Sequence, residues 1–225
     1  MNRLIDLSHP IEAGMTTFPG LPGPEIGPHL TREQSRGRYA EGVEFAIDRI
    51  SMVGNTGTYV DSPFHRFADG PDLAAVPLES VADLPIVVVR PTGRAIGPEA
   101  FDGLTLEDSA VLLHTGWDRH WRTPEYGGDA PYLTEAAAEE LVHSGAKLVG
   151  IDSVNIDNAQ DPRRPAHSIL LANRIPVLEH LTNLEQLPAT GARLHAAPPR
   201  VVGFSSFPVR AYAVVPADPP NDWQQ

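Results

Sequence analysis

The chain has 225 residues, a length that suits one large domain or one and a half small ones, and its 41% hydrophobic and 20% charged residues are typical of a soluble globular protein. Its net charge of −12 argues against nucleic acid or an anionic membrane as a partner. The sequence has no cysteine, so disulfides and thiolate zinc sites are excluded, and any metal must be bound by His, Asp, Glu or neutral oxygen donors. Asp6 interrupts the first apolar stretch, and no apolar run reaches the roughly 18 residues of a membrane helix, which predicts a cytoplasmic protein.

Short apolar runs between prolines and glycines predict eight β-strands. They cover residues 4–7, 43–51, 86–90, 110–114, 147–151, 174–178, 200–204 and 211–215. Several runs, such as residues 86–90, are almost continuously apolar, which is typical of strands buried on both faces. Residues 43–51 alternate apolar and polar side chains and therefore predict a half-buried antiparallel strand.

Two helices are predicted between these strands. Thr134 is expected to cap a helix over residues 134–144, and Thr182 with Glu185 has the spacing of a capping box for a short second helix. The 23 prolines predict short elements joined by long loops. Together these features indicate an α/β or α+β fold, with one domain over residues 1–215 and a proline-rich tail over residues 216–225.

The segment most informative about function is residues 54–65, which read Gly-Asn-Thr-Gly-Thr-Tyr-Val-Asp-Ser-Pro-Phe-His. Its glycines, proline and small hydroxyl residues predict a tight irregular loop. Asp61 and His65 place a carboxylate and an imidazole close together in this loop, as a hydrolase or a metal site requires. A structural Gly-Pro turn with an incidental Asp and His is the alternative interpretation.

Two downstream residues are candidate partners for Asp61 and His65. Glu179 directly follows an apolar run, so it must either leave the core or be paired within it, as a metal ligand or general base. His167 lies in a second apolar segment, and residues 150–157 add further acids after a buried strand. A structural role for His167 and a solvated strand end for Glu179 remain open alternatives.

With these residues in place, the chain resembles the cyclase family, whose best-known members are bacterial kynurenine formamidases, with isatin hydrolase as a relative. The family signature is H-x-G-T-H-x-D-x-P-x-H, and residues 55–65 read N-T-G-T-Y-V-D-S-P-F-H. Further segments match in the same order along nearly the whole chain, at residues 5–8, 18–20, 115–117, 149–152, 156–157 and 208–211, with His167 and Glu179. The resemblance implies an α/β domain of the swivelling type, with a mixed β-sheet or barrel-like core and flanking helices.

The resemblance also implies a metal site, which this chain alters. Family members bind one or two divalent metals through the signature histidines and Asp together with the downstream His and Glu, and the last signature histidine, here His65, is the general acid/base. In this chain Asn55 and Tyr59 replace the two metal histidines, and both are poor ligands. Asp61, His167 and Glu179 remain as ligands for at most one divalent ion, zinc or manganese, and a metal-free site stays open.

Three functions are compatible with this pattern. The first is a hydrolase of a small amide, lactam or lactone that resembles arylformamidase. The second is a metal-independent lyase or isomerase with His65 as base, Asp61 orienting it and Tyr59 as proton donor. The third is a non-catalytic protein that binds a small molecule on the same scaffold. In each case Phe18, Asn55 and Trp117 are expected to line the pocket, and the resemblance implies a homodimer or homotetramer.

Overall fold

The computed structural model describes residues 1–217. Its strands are β1 (Arg3–Asp6), β2 (Glu25–Leu30), β3 (Ile47–Ser51), β4 (Tyr59–Asp61), β5 (Ala82–Val89), β6 (Ala95–Ile96), β7 (Ala110–Leu113), β8 (Tyr132–Leu133), β9 (Leu148–Ile151), β10 (Val177–Glu179), β11 (Arg193–His195), β12 (Ser206–Pro208) and β13 (Tyr212–Val215). The α-helices are α1 (Arg32–Ser35), α2 (Glu135–His143) and α3 (Pro165–Ala172). The predicted tail lies outside the described residues from position 218 onward. Among residues 1–217, every helix is too short or too polar to cross a membrane.

One nine-stranded mixed sheet runs through the molecule, in the order β1-β13-β11-β5-β7-β9-β10-β4-β12. Strands β5, β7, β9 and β10 are parallel, and the strands on both sides of them pair antiparallel. The α/β fold with a mixed sheet and flanking helices, which the family resemblance implied, is confirmed. Two smaller sheets, β2-β3 and β6-β8, lie beside it.

The central strands are buried on both faces, as their continuous apolar sequences predict. Along β5, Ile86 and Val88 belong to one hydrophobic cluster, whereas Val87 and Val89 belong to a second. Successive side chains of a strand point to opposite faces, so the two clusters are the cores on the two sides of the sheet. Helices α2 and α3 cover the second cluster, to which Leu141 of α2 and Leu170 of α3 contribute.

Helix α2 forms where the sequence predicts it, and α3 was not predicted. The Thr134 hydroxyl accepts a hydrogen bond from the Ala137 N–H, which satisfies one of the free donors of the first turn of α2. Helix α3 begins with Pro165 at its first position, where the missing N–H costs nothing. The sequence did not predict this helix because the residues around His167 are mostly apolar and lack the apolar and polar faces of an amphipathic helix.

Three predicted elements differ from those observed because of residues in the left-handed backbone region. Arg174 has a φ of 59°, so the strand predicted over residues 174–178 begins only at Val177. Gly203 has a φ of 71°, which places a turn inside residues 200–204 and moves the strand to Ser206–Pro208. Asn183 has a φ of 59°, and a single 3₁₀ turn over Leu184–Gln186 replaces the second helix. The Thr182 hydroxyl donates to Asp118 instead of capping this turn.

The strand predicted over residues 43–51 begins at Ile47 and is not half buried. It pairs antiparallel with β2, but all five of its residues are exposed. Ile26 and Ile50 are register partners in this hairpin, so both side chains lie on the same face. The alternation of apolar and polar residues therefore predicted a strand correctly, but the predicted burial of one of its faces was wrong.

Candidate functional site

Strand β4 carries the centre of the site because it lies between β10 and β12. Tyr59 is directly opposite Glu179 of β10, and Asp61 is directly opposite Ser206 of β12. Alternate residues of a strand share one face, so Tyr59 and Asp61 project to the same side of the sheet. Strand pairing thus assembles a phenol, a hydroxyl and two carboxylates from three separate parts of the chain.

The loop before β4 is held against its surroundings. Gly57 has a φ of 65°, which favours glycine, and its N–H donates to the Thr17 hydroxyl at 2.8 Å. The Thr58 hydroxyl donates to the His180 carbonyl oxygen at 2.5 Å. A Cβ at Gly54 would overlap the backbone carbonyl oxygen of Ser206, so only glycine fits where the loop meets β12.

His65 is the accessible group of the site. It ends the short 3₁₀ turn Pro63–His65, four residues after Asp61, and its Nδ1 lies 3.5 Å from Asp61 Oδ1. The His65 side chain is 34% exposed, whereas the Asp61 side chain is fully buried. An imidazole between a buried carboxylate and solvent is placed to exchange protons with a bound molecule.

Helix α3 brings His167 to the same carboxylate. Asp157 accepts hydrogen bonds from the Ala166 N–H at 2.7 Å and the His167 Nδ1 at 2.6 Å, which fixes both the helix start and the ring orientation. The other ring nitrogen, Nε2, lies 3.5 Å from Asp61 Oδ2 and 3.7 Å from Glu179 Oε1. The structure therefore brings Asp61, His65, His167 and Glu179 together.

Both oxygens of Glu179 are engaged by the protein. The Tyr59 hydroxyl donates to Oε2 at 2.5 Å, and the Ile156 N–H donates to Oε1 at 2.6 Å. Burial raises the pKa of Glu179 to about 7, although the charge of His167 opposes the shift. Burial, together with the charge of Glu179, raises the pKa of Tyr59 well above its usual value, so the phenol keeps its proton.

The buried charges of His167 and Asp61 stabilise each other. Burial alone lowers the pKa of His167, but its contacts with Asp157 and Asp61 outweigh burial and raise it to about 10. Burial likewise favours neutral Asp61, but polar contacts with His167 and the charge of His65 lower its pKa. In this arrangement the His167 imidazolium supplies the positive charge between the carboxylates, and a metal ion bound by Nε2 would have to displace the proton of that nitrogen.

The donor atoms fit one divalent cation. Asp61, His65 and His167 each offer one ligand atom, and these three atoms lie within 4.8 Å of one another. Asp61 Oδ2 is fully buried and has no hydrogen-bond partner within residues 1–217. Imidazole nitrogens with a carboxylate oxygen suit ions such as zinc, and Asp157 is the outer carboxylate that such a histidine ligand needs. Asn55 Nδ2 lies 3.5 Å from Asp61 Oδ1, so an amide lies beside this carboxylate.

The predicted pocket residues Phe18 and Trp117 lie in an aromatic group next to the site. They pack with Trp121 against a small buried cluster that includes Tyr126. The Tyr126 hydroxyl is 2.8 Å from Nδ1 of the buried His180, whose ring in turn packs on Tyr59. Tyr126 also lines a cavity of about 400 Å³, with Thr17, Arg122 and Pro124 among the other lining residues.

Asp157, His180 and Ser206 belong to the site, and sequence reasoning did not single them out. The signal for Asp157 was its place in the acidic segment before His167. His180 directly follows Glu179, but a φ of 58° and full burial are properties of the folded chain. Ser206 has no local signal, because its contact with Asp61 depends on strand register. Asp152, in the same acidic segment, instead accepts hydrogen bonds from the Thr115 and Gly116 N–H groups.

The chain is similar to named proteins over almost its whole length. It is 27% identical over 214 residues to a kynurenine formamidase of Bacillus cytotoxicus, covering 92% of this chain and 95% of that one. It is 28% identical over 213 residues to a kynurenine formamidase of Geobacillus thermodenitrificans, covering 94% and 97%. It is 29% identical over 224 residues to "Cyclase-like protein 1" of Oryza sativa subsp. japonica, covering 94% and 78%.

Solved structures show the same fold. Isatin hydrolase A from Labrenzia aggregata, bound to benzyl benzoate, superposes with a TM-score of 0.79 at 26% identity and covers 95% of this chain and 94% of that one. A second isatin hydrolase, bound to the product analogue thioisatinate, gives a TM-score of 0.81 at 22% identity and covers 96% and 93%. The profile of the family described as "Putative cyclase" matches residues 5–158, more than half of the chain. This protein therefore belongs to that cyclase family.

Proposed function

We propose that the protein hydrolyses the amide or lactam bond of a small aryl compound, as an arylformamidase-like enzyme that uses at most one divalent metal ion. The convergence of Asp61, His65 and His167 carries this proposal, because it joins an accessible imidazole to a buried cation-binding pair. The similarity to kynurenine formamidases and to isatin hydrolase A supports the substrate class. The cavity of about 400 Å³ that Tyr126 lines supports a small-molecule substrate.

The protein groups divide the work of such a hydrolysis. Asp61 Oδ2 and His167 Nε2 would hold the ion, and zinc or manganese suits their nitrogen and oxygen donors. When bound, the ion would act as a Lewis acid on the scissile carbonyl. His65 accepts a proton from the attacking water and returns it to the leaving nitrogen, as its exposure and its contact with Asp61 allow.

The experiment is a hydrolysis assay on protein purified without chelator and without a nickel column, with an aryl formamide and with isatin as substrates. We expect turnover that a chelator abolishes and that zinc or manganese restores. His167→Ala should lower kcat/KM by about 100-fold or more, and the purified variant should contain less metal than the unaltered protein. His143→Ala is the matched control, because it deletes an exposed imidazole at the end of α2. Full activity in metal-free protein would contradict the metal role.

A metal-independent enzyme is the second candidate, and one observation favours it. Both oxygens of Glu179 accept hydrogen bonds from the protein, so this predicted ligand is already satisfied. His65 would then be the base and Asp61 its orienting group, in a lyase or isomerase reaction with Tyr59 as proton donor. Turnover that persists after chelation and is lost in Tyr59→Phe would favour this candidate over the first. A binding protein without catalysis would show saturable ligand binding and no turnover.

We further propose a homodimer or homotetramer that acts in the cytoplasm without a nucleic-acid or membrane partner. The net charge of −12 supports the exclusion of polyanionic partners. The paired Ile26 and Ile50 of the β2-β3 hairpin support self-association, because they are 45% and 46% exposed on one face. Light scattering gives the test, with a mass above the 24.3 kDa of one chain as the expected result.

A further inference from the structure

Ser206 occupies the space between the two groups that the proposed hydrolysis needs most. It is the first residue of β12, it stands opposite Asp61 in the strand register, and it is 1% exposed. Its hydroxyl is hydrogen-bonded to Asp61 Oδ1 and lies 3.0 Å from His65 Nδ1. The direct distance from His65 Nδ1 to Asp61 Oδ1 is longer, at 3.5 Å.

The chemistry of the three groups fixes the direction of these hydrogen bonds. A carboxylate can only accept, so the single hydroxyl proton of Ser206 goes to Asp61. The hydroxyl oxygen then faces the imidazole with its lone pairs, so His65 Nδ1 must carry a hydrogen to donate to it. In a neutral imidazole only one nitrogen carries a proton, and Nε2 is consequently left with a free lone pair.

We propose that Ser206 is a positioning residue that links Asp61 to His65, holds His65 as the tautomer with hydrogen on Nδ1, and leaves Nε2 as the base. The arrangement follows the logic of a catalytic triad, in which a third group orients the base, with a hydroxyl interposed between acid and imidazole. It also removes His65 Nδ1 from the candidate metal ligands, and leaves the ion to Asp61 and His167. The role of Nε2 as base rests on the proposed hydrolysis, whereas the tautomer does not.

The neighbourhood provides a matched control. Ser205 precedes Ser206, and its hydroxyl is 3.4 Å from that of Ser206 but makes no other side-chain hydrogen bond within residues 1–217. Removing it deletes the same chemical group one residue away, while the β4-β12 pairing keeps Ser206 opposite Asp61. Ser206→Thr retains a hydroxyl at the critical position and serves as the conservative variant.

The first measurement is ¹⁵N NMR of histidine-labelled full-length protein, as purified and after addition of zinc, with His65 assigned from a His65→Gln variant. At a pH where His65 is neutral, we expect a protonated Nδ1 in the unaltered protein and in Ser205→Ala. In Ser206→Ala the Nδ1–H form should lose its dominance. A His65 that carries its hydrogen on Nε2 in the unaltered protein would overturn the inference, and so would direct coordination of zinc by Nδ1.

The second measurement is the steady-state kinetics of the same variants with an aryl formamide. Ser206→Ala should lower kcat about 10–100-fold with KM changed less than about twofold, and Ser206→Thr should recover most of the loss. Equal kcat in Ser206→Ala and the unaltered protein would contradict the positioning role. If Ser206→Ala does not fold, the spectrum of the unaltered protein still decides the tautomer. Absence of turnover in the unaltered protein would count against the proposed function and not against the hydrogen-bond arrangement.

Discussion

Asp157 and Asp61 contact the two nitrogens of the His167 ring from opposite sides. Asp157 accepts from Nδ1 at 2.6 Å, and Asp61 lies 3.5 Å from Nε2. An outer carboxylate of this kind fixes which nitrogen faces the site, and such partners matter to metal affinity almost as much as the ligands do. The hydrogen bond to Asp157 therefore holds the His167 ring in an orientation that suits a metal ligand, and this holds although residues 55 and 59 are Asn and Tyr rather than His.

Restoring those imidazoles tests the interpretation of Asn55 and Tyr59. The Asn55→His and Tyr59→His double variant should raise the metal content from at most one ion per chain toward two. The reason is that imidazole nitrogens bind zinc and manganese far better than an amide oxygen or a neutral phenol. Elemental analysis of protein purified without chelator and without a nickel column gives the stoichiometry.

The matched control changes the same two positions without adding imidazole. Asn55→Gln with Tyr59→Phe should not increase the metal content, and it should lose the hydrogen bond from the phenol to Glu179. Two ions per chain already present in the unaltered protein would show that the two substitutions do not weaken the site.

At the scale of elements, the site depends on the pairing of β4 with β10 and β12. These strands are only three residues long, so each contributes one or two side chains, and the register decides which ones meet. A slip by one residue would turn Tyr59 and Asp61 to the opposite face. The loop that enters β4 packs against the backbone of β12 at Gly54, which helps to hold that register.

Gly54→Ala should therefore disturb the site by displacing β12 from the loop before β4, and not by removing a contact with substrate. The added methyl group would overlap the Ser206 carbonyl oxygen, and we expect a loss of about 1–3 kcal/mol in the free energy of unfolding, with lower activity. Denaturant titration measures the change. Gly27→Ala is the control, because a Cβ there meets open space among the described residues and the backbone has no left-handed φ. Equal effects of the two substitutions would argue against this packing role.

At the scale of the whole molecule, the partly buried His9 makes stability depend on pH. His9 stacks on Trp121 at 4.1 Å between ring centroids, and burial lowers its pKa to about 4, against the opposing charge of Asp118. Burial, together with the charge of His9, lowers the pKa of His180 to about 3. The folded pKa is depressed, so the unfolded chain binds the proton first as pH falls below about 6.5. His9 therefore stabilises the fold above that pH, and its contribution is lost as pH falls toward 4.

A comparison of the unaltered protein with His9→Phe isolates this contribution, because phenylalanine keeps a planar ring on Trp121 and does not titrate. Between pH 7.5 and pH 5 the stability difference should shift against the unaltered protein by about 1 kcal/mol, after discounting for the partial exposure of His9. Urea unfolding at the two pH values provides the measurement. A pH-independent difference would mean that His9 titrates normally in the folded protein.

Assembly is the second property of the whole molecule. Ile26→Glu with Ile50→Glu should shift the protein toward monomer, because it places two like charges at the exposed apolar face of the hairpin. Light scattering at micromolar concentration reports the mass. Leu78→Glu with Val202→Glu is the control, since these side chains are 64% and 84% exposed elsewhere. An unchanged oligomer in the hairpin variant would locate the contact on another surface.

The sequence by itself determined the central strands and α2. Continuous apolar runs such as residues 86–90 and 110–114 predict burial on both faces, and the alternating membership of Ile86 and Val87 in two cores follows directly from that pattern. The motif ending in Asp61 and His65 likewise identified the candidate site, because those residue types occur close together in a loop that glycine and proline make irregular.

Only the tertiary structure decided what those residues contact. Ser206 lies 145 positions from Asp61, and strand register alone places it there. The exposure of β3 and the start of β10 after Arg174 were likewise invisible, because they depend on packing and on a left-handed backbone that local propensity does not encode. A local pattern records which side chains a short segment presents, whereas register and packing between distant segments decide which of them meet.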